Sequence, residues 1–399
     1  MDEPIGDLTL QQALALALEE SPEIAASQRE VNARDGRARQ AAALPNPQLA
    51  GIAENFGGDD ALTGGVQSTL QLEQLVELGG ERASRRATAA AALELARWDL
   101  AARRLDVAAR VTREFGEVLA AQRHAELAEA TVRLAEEVRA TVAARVEAGK
   151  VSPIEETRAE VGLATEQIER DRAATELFSA RSRLAATWGG SSARFERVVG
   201  EIDRVTEFPP IDAILDGLEL NPQVARWDAE IAEREAILGT ERARAIPDLT
   251  LSGGYREFDL GGNAWVASAS FPLPLFDWNR GAKTEATERI ARAHEERRAA
   301  LVRLRQSVEE AHASLLRAEN EVRNLRDQVV PRAESVYDAI SEGYRLGKFG
   351  YMEVLDARRT LAAVRAQLVH AQADLWRASA ELERLTSTPT NETPNGERQ

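Results

Sequence analysis

The chain has 399 residues, enough for two or three ordinary domains, and is 44 % hydrophobic, 5 % aromatic and 29 % charged. Its net charge of −16 argues against a nucleic-acid partner, because a phosphate backbone calls for a basic face. With no cysteine, disulfides, zinc–thiolate sites, thiol catalysis and cysteine lipidation are excluded, and the four histidines (His124, His294, His312, His370) show no ligand spacing.

The start, Met1-Asp2-Glu3-Pro4, lacks the basic end and apolar core of a secretory signal. It fits either a cytoplasmic chain or a mature exported one with an added Met1. No apolar run reaches the ~18 residues of a transmembrane helix. A first helix is expected from Leu10 to Ala43, interrupted at Ser21-Pro22, where Ser can cap and Pro can open the next helix. Two short Gly-punctuated segments follow (strand pair 47–75, with Gly57-Gly58-Asp59-Asp60 as its loop). Then come a very long helix (80–148), a tight turn at Gly149-Lys150 and a return helix (153–188).

From there the plan repeats at an offset near 200. Asn221-Pro222 answers Ser21-Pro22, Pro247-Asp248-Leu249 answers Pro47-Gln48-Leu49, and Gly347-Lys348 answers Gly149-Lys150. The second copy has a helix (211–245), a strand pair (248–273), a long helix (281–346) and a return helix (353–385). The domains are therefore 1–207 and 208–386, joined near Glu207-Phe208-Pro209-Pro210, with a polar disordered tail at 387–399.

In the second long helix Leu301, Leu304, Val308, Ala311, Leu315, Ala318, Val322, Leu325 and Val329 are spaced 3,4,3,4 throughout. Val118, Ala121, Ala125, Ala128, Val132 and Ala135 keep the same beat in the first. A sustained heptad means coiled-coil packing, and alanine in the seam means close approach. A helix of ~66 residues would run roughly 100 Å, the length of a rod or tube wall.

The strand segments alternate, most clearly Leu249, Leu251, Gly253, Tyr255 and then Trp265, Ala267, Ala269, Phe271. Each is about ten residues, the length of a tilted membrane strand. Tyr255, Phe258, Trp265 and Phe271, with Phe276 and Trp278, resemble the aromatic girdle of a membrane barrel. A soluble hairpin capping a coiled coil is the alternative. Four strands cannot close a barrel, and an open edge cannot sit in lipid. Three copies would give twelve strands, wide enough for a pore.

Three motifs carry a family resemblance: Glu77-Leu78-Gly79-Gly80-Glu81-Arg82, the run Glu147 to Thr157 (Glu-Ala-Gly-Lys-Val-Ser-Pro-Ile-Glu-Glu-Thr), and the run Pro272 to Gly281 (Pro-Leu-Pro-Leu-Phe-Asp-Trp-Asn-Arg-Gly). With the duplicated plan, they make the chain resemble the TolC family of outer-membrane efflux ducts, nearest the branch of cobalt-zinc-cadmium-type pumps. The resemblance spans Leu8 to about Leu385. It implies a mostly α fold with a small β part: long antiparallel coiled-coil helices form a tunnel, and four strands per chain complete a trimeric 12-stranded barrel. It further implies a homotrimer in outer-membrane lipid, extending into the periplasm. Behind it would stand a periplasmic adaptor protein and an inner-membrane resistance-nodulation-division pump, passing out divalent heavy-metal cations. Many relatives begin with a lipid-bearing cysteine, which this chain lacks.

The resemblance also assigns roles. The tips at Gly149, Lys150, Val151, Ser152 and at Gly347, Lys348, Phe349 would meet the adaptor. Glu353 and Asp356, at i,i+3 on one helix face, would become two acidic rings under threefold symmetry. Alternatively, they match the positive end of a helix dipole. Ser152-Pro153-Ile154-Glu155 has the form of a capping box. In the family, the acidic position at Glu155 bonds a tyrosine, here Tyr344, to hold the tip shut. The family's partner arginine is not matched: Phe349 stands there, with Lys348 beside it. No phosphate loop, nucleophile constellation, metal-ligand set or cofactor motif stands out, so neither an enzyme nor a cofactor is expected. The competing reading is a soluble coiled-coil scaffold or adaptor without a pore.

Overall fold

The computed structural model describes residues 5–55, 65–202 and 208–386. The expected loop at 57–60, the junction at Glu207 and the tail at 387–399 lie outside the described residues. In chain order the elements are β1 (Asp7–Thr9), α1 (Leu10–Glu20), α2 (Pro22–Ala41), β2 (Gln48–Glu54), β3 (Gln67–Val76), α3 (Glu81–Glu147), α4 (Pro153–Ala186), β4 (Arg197–Val199), α5 (Ile211–Asp216) and a 3-10 turn (Leu218–Leu220). The chain continues with α6 (Pro222–Ala243), β5 (Leu249–Phe258), β6 (Asn263–Ser270), α7 (Arg280–Asn324), a π-helical turn (Leu325–Val329), α8 (Val330–Arg345) and α9 (Tyr351–Thr386). The protein is mostly helical with a small sheet part, as the sequence implies. Its residues group into two compact units.

One unit comprises Met1–Ala26, Ala101–Asn221 and Leu301–Gln399. Its core is the heptad seam: Val118, Ala128, Val132 and Ala135 of α3 and Leu304, Val308, Ala311, Leu315, Ala318, Val322 and Leu325 are buried. Each buried Leu or Val contributes roughly 1.5–3 kcal/mol. A short parallel sheet, β1 against β4, is absent from the sequence reading. Three-residue strands carry too little alternation to register. Leu8 faces Val198 in register, both are buried, and Gln122 of α3 exchanges two hydrogen bonds with the Val198 backbone (2.7 and 3.1 Å). Thr9 and Gln12 form a complete capping box at the start of α1, and the helix breaks where expected, at Ser21, with Pro22 opening α2.

The seam does not run straight to the tip. Val329, the last heptad position read from sequence, is exposed, and so is Val336. Tyr337 and Tyr344 are buried instead, with Ala333 and Ile340 packed beside them. The π-helical turn causes this, because it wedges in one extra residue and moves the inward face one position along the chain. Pro331 supplies the reason: it has no N–H for the carbonyl four residues back, and its ring crowds that carbonyl.

The other unit comprises Ser27–Leu100 and Pro222–Ala300. It holds a four-stranded antiparallel sheet in the order β2-β3-β5-β6. Register aligns Gly51, Leu70, Tyr255 and Trp265 in one cross-strand row, and Leu49, Leu72, Gly253 and Ala267 in the next. β6 stops at Ser270, so Phe271 lies beyond the strand expected to contain it. The β3–α3 connection is tied to this unit where the Leu78 N–H donates to Asp248 Oδ1 (3.2 Å).

In the first unit, Gly116 faces the Trp376 indole. A Cβ there would lie 2.1 Å from Trp376 Cδ1, while Trp376 Nε1 donates to the Thr112 carbonyl (2.6 Å) and the ring stacks on Phe115 (centroids 6.2 Å apart). Gly116→Ala should therefore cost about 1–3 kcal/mol through overpacking, despite alanine's better helix propensity. Thermal unfolding of the purified protein checks this: a lower Tm is expected, and an unchanged or higher one would contradict the packing.

Candidate functional site: an amphipathic sheet and a tyrosine-rich tip

The sheet has two unlike faces. Leu49, Leu70, Leu72, Leu251, Tyr255 and Trp265 share one face and are exposed, Trp265 to 85 %. The Tyr255 and Trp265 rings meet edge to face, centroids 5.8 Å apart. The other face is polar. There Arg256 donates to Thr69 Oγ1 (2.8 Å), Gln67 Oε1 (3.1 Å) and Glu54 Oε2 (3.2 Å), and Ser252 meets Ser268 (2.7 Å). A water-soluble sheet buries its apolar face, whereas this one presents it outward, as a membrane barrel does. Of the four expected girdle residues, Tyr255 and Trp265 stand together on the apolar face. Phe258 falls on the polar face because it is an odd number of residues from Tyr255. Phe271 sits past the strand end and is exposed.

Among the described residues, no helix is long and apolar enough to cross a membrane. The outermost strands, β2 and β6, each pair on one side only.

Both hairpin tips close with the same backbone device. The Lys150 N–H donates to Arg145 O (2.9 Å) and the Gly149 N–H to Val146 O (2.9 Å). At the other tip the Lys348 N–H donates to Gly343 O (2.8 Å) and the Gly347 N–H to Tyr344 O (3.0 Å). These are Schellman motifs, and they need a left-handed residue: Gly149 and Gly347 have φ of 66° and 75°. Ser152 caps α4 by accepting from the Ile154 N–H (3.4 Å). Glu155 does not complete the capping box; its Oε2 is buried without a partner. Phe349, expected at the adaptor surface, is folded back so that its ring occupies the space above Gly343, and it keeps 43 % exposure.

The tip interior gathers three of the four tyrosines. Tyr337, Tyr344 and Tyr351 are buried with Val142, Val354, Leu355 and Leu361. Tyr344 and Glu155 are close enough to interact electrostatically, but the Tyr344 hydroxyl makes no hydrogen bond. The expected Glu155–Tyr344 bond is thus not formed. The cation missing from the sequence reading is Arg145. Its guanidinium lies 4.2 Å over the Tyr344 ring, and its Nη1 donates to the Tyr344 carbonyl (2.7 Å). Arg145 and Tyr344 are 199 residues apart, so sequence spacing could not link them. Deeper in, buried Arg358 pairs with Glu166 (3.1 Å).

Glu353 and Asp356 are exposed on the first two turns of α9, which starts two residues earlier than expected. Glu353 lies in the first turn, where a helix dipole favours an acid. Asp356 lies a turn further on, where that effect has faded. His124 and His370, distant in sequence, have ring centroids 6.1 Å apart in a groove of about 870 Å³, and His124 Nδ1 is 3.5 Å from Glu176. Among the described residues, no three His, Asp or Glu side chains are grouped to hold a metal ion.

The outer membrane efflux protein family model matches this chain twice, over residues 13–190 and 214–388. The chain belongs to the outer membrane efflux protein family. It is 34 % identical over 384 residues to the cobalt-zinc-cadmium resistance protein CzcC of Cupriavidus metallidurans, covering 96 % of this chain and 91 % of that one. It is 28 % identical over 294 residues to the nickel-cobalt-cadmium resistance protein NccC of Alcaligenes xylosoxydans xylosoxydans, covering 73 % and 65 %. Its fold matches crystal structures of CusC, described for transmembrane channel formation, with a TM-score of 0.81 at 16 % identity over 96 % and 92 % of the two chains. It is an outer-membrane efflux protein reaching into the periplasm. The soluble-scaffold reading is not favoured.

Two outcomes follow from the tip of this efflux protein. Arg145→Ala removes a cation–π contact of about 0.5–2 kcal/mol. Amide exchange at Gly347 and Lys348 should then accelerate; unchanged protection would contradict the role of Arg145. Burial, above all, raises the pKa of Tyr337, Tyr344 and Tyr351. The unfolded chain ionises near 10 and the folded tip only above that, so the unfolded state binds fewer protons and stability falls as pH rises past about 10. Urea unfolding across that range, with absorbance titration of the phenols, checks the sign.

Proposed function

We propose that three copies of this chain form one conducting duct, passing divalent heavy-metal cations outward from a periplasmic adaptor and an inner-membrane pump. One observation carries the reading: a four-stranded sheet with an exposed apolar face, a hydrogen-bonded polar face and an unpaired outer edge on β2 and on β6. Pairing β6 of one copy with β2 of the next satisfies both edges, and three copies give twelve strands with a polar lumen. The doubled family match and the common element order support a duplicated subunit, with each half supplying one strand pair and one helical hairpin. The cargo class rests on the cobalt-zinc-cadmium resistance protein at 34 % identity.

In this reading the Schellman tips at Gly149-Lys150 and Gly347-Lys348 are the adaptor contacts. Glu353 and Asp356, exposed in the single chain, become two stacked rings of three carboxylates, which attract cations and oppose anions. The closed tip is held by Arg145 on Tyr344, with Glu155 alongside. The duct itself performs no covalent chemistry.

Single-channel recording in planar bilayers tests the proposal. The purified protein should open cation-preferring channels, and Glu353→Gln with Asp356→Asn should lower cation over anion preference by about tenfold, equivalent to ~1.4 kcal/mol. No conductance, or an unaltered preference in the double variant, would refute the duct or the rings respectively.

A further inference from the structure

The loop from Phe271 to Asn279 joins β6 to α7 and keeps its polar side chains for itself. Asp277 Oδ1 accepts from the Asn279 N–H (2.8 Å), and Asn279 Nδ2 donates to both Glu241 O and Glu241 Oε2 at the end of α6 (2.8 Å each). Asn279 has a φ of 57°, a left-handed conformation held by these bonds. Asn279 is drawn inward by these bonds, Asp277 stays exposed, and the apolar neighbours point out. Leu275 is 69 % exposed, Phe276 98 % and Trp278 52 %, and nearby Leu44, Leu78 and Ile246 are each at least half exposed. Such a patch at the sheet's helical end exceeds scattered surface apolarity.

The same end gathers exposed arginines, beside the acids Glu77, Glu81 and Asp248. Arg37 near the end of α2, Arg82 and Arg86 at the start of α3, Arg242 at the end of α6 and Arg280 at the start of α7 are exposed. None of these five makes an ion pair among the described residues, although Arg82 Nε donates to the Ala42 carbonyl (2.8 Å); Arg34, Arg39, Arg85 and Arg244 beside them are ion-paired.

We propose that this loop and the five arginines form a second membrane belt, specific for anionic phospholipid headgroups of the periplasmic leaflet. It rests on the barrel reading, because the loop continues directly from the apolar face of β6. The occupant follows from that continuity and from charge: aromatic rings settle at the acyl–headgroup boundary, and guanidinium groups without a carboxylate partner bind phosphate oxygens in pairs. The girdle at Tyr255 and Trp265 and this belt would thus sit at different depths. Six residues separate Trp265 from Phe271, about 20 Å of extended strand.

The chain has no cysteine, so Phe276→Cys and Trp265→Cys each give one labelling site. Each variant of the full chain is spin-labelled in vesicles of phosphatidylcholine with phosphatidylglycerol, and oxygen and nickel-chelate accessibility are compared. Both labels should favour oxygen. If the Trp265 label does and the Phe276 label favours the nickel chelate, or reaches neither reagent because a second copy covers it, the belt is overturned while the barrel stands. If the Trp265 label also fails, the barrel reading itself falls. Lipid retained through detergent purification tests the headgroup. Phosphatidylglycerol should be enriched over phosphatidylcholine, and Arg242→Gln with Arg280→Gln should reduce that enrichment about fivefold per arginine. Equal retention of the two lipids by the unaltered chain overturns the proposal.

Discussion

A strand edge in hydrocarbon has no water to satisfy its N–H and C=O groups, and the four-stranded sheet of this protein has two unpaired edges. Nothing within the described chain covers β2 or β6. The amphipathicity of the sheet makes the constraint binding, because one side is apolar and exposed and the other is hydrogen-bonded. A soluble protein would resolve this by packing the apolar face on a helix. The proposed duct resolves it with lipid on one side and further copies at the edges.

The helical unit obeys a different rule. A regular heptad fixes which residues face the seam, and alanine at many seam positions lets helices approach closely. The π-helical turn before Pro331 shifts that register by one residue. Without the shift the inward positions would be Val329 and Val336; with it they are Ala333, Tyr337, Ile340 and Tyr344. A proline-induced irregularity in one helix therefore assembles the tyrosine cluster at the tip, where Arg145 engages Tyr344 from the other hairpin.

Much of this was legible in the sequence. The heptads, the Ser-Pro and Asn-Pro breaks, the strand pairs and the two Gly-Lys tips are local signals, and local chemistry fixes them. Side-chain placement was less legible. Proximity in sequence groups Phe258 with Tyr255, although alternation puts it on the opposite face. Glu155 looked like a capping-box residue from spacing alone, but its carboxylate turns into the tip instead. Arg145 leaves no sequence signal because its partner lies 199 residues away, and the His124–His370 approach is hidden for the same reason. The β1–β4 sheet is too short to leave a period in the sequence.

In the proposed duct, copies of one chain close the barrel. Its most direct test is the mass of the detergent-solubilised particle by light scattering, corrected for bound detergent. Three 43.6 kDa chains per particle are expected. A stable single chain, or a pair, would leave too few strands for a conducting barrel and would contradict the duct.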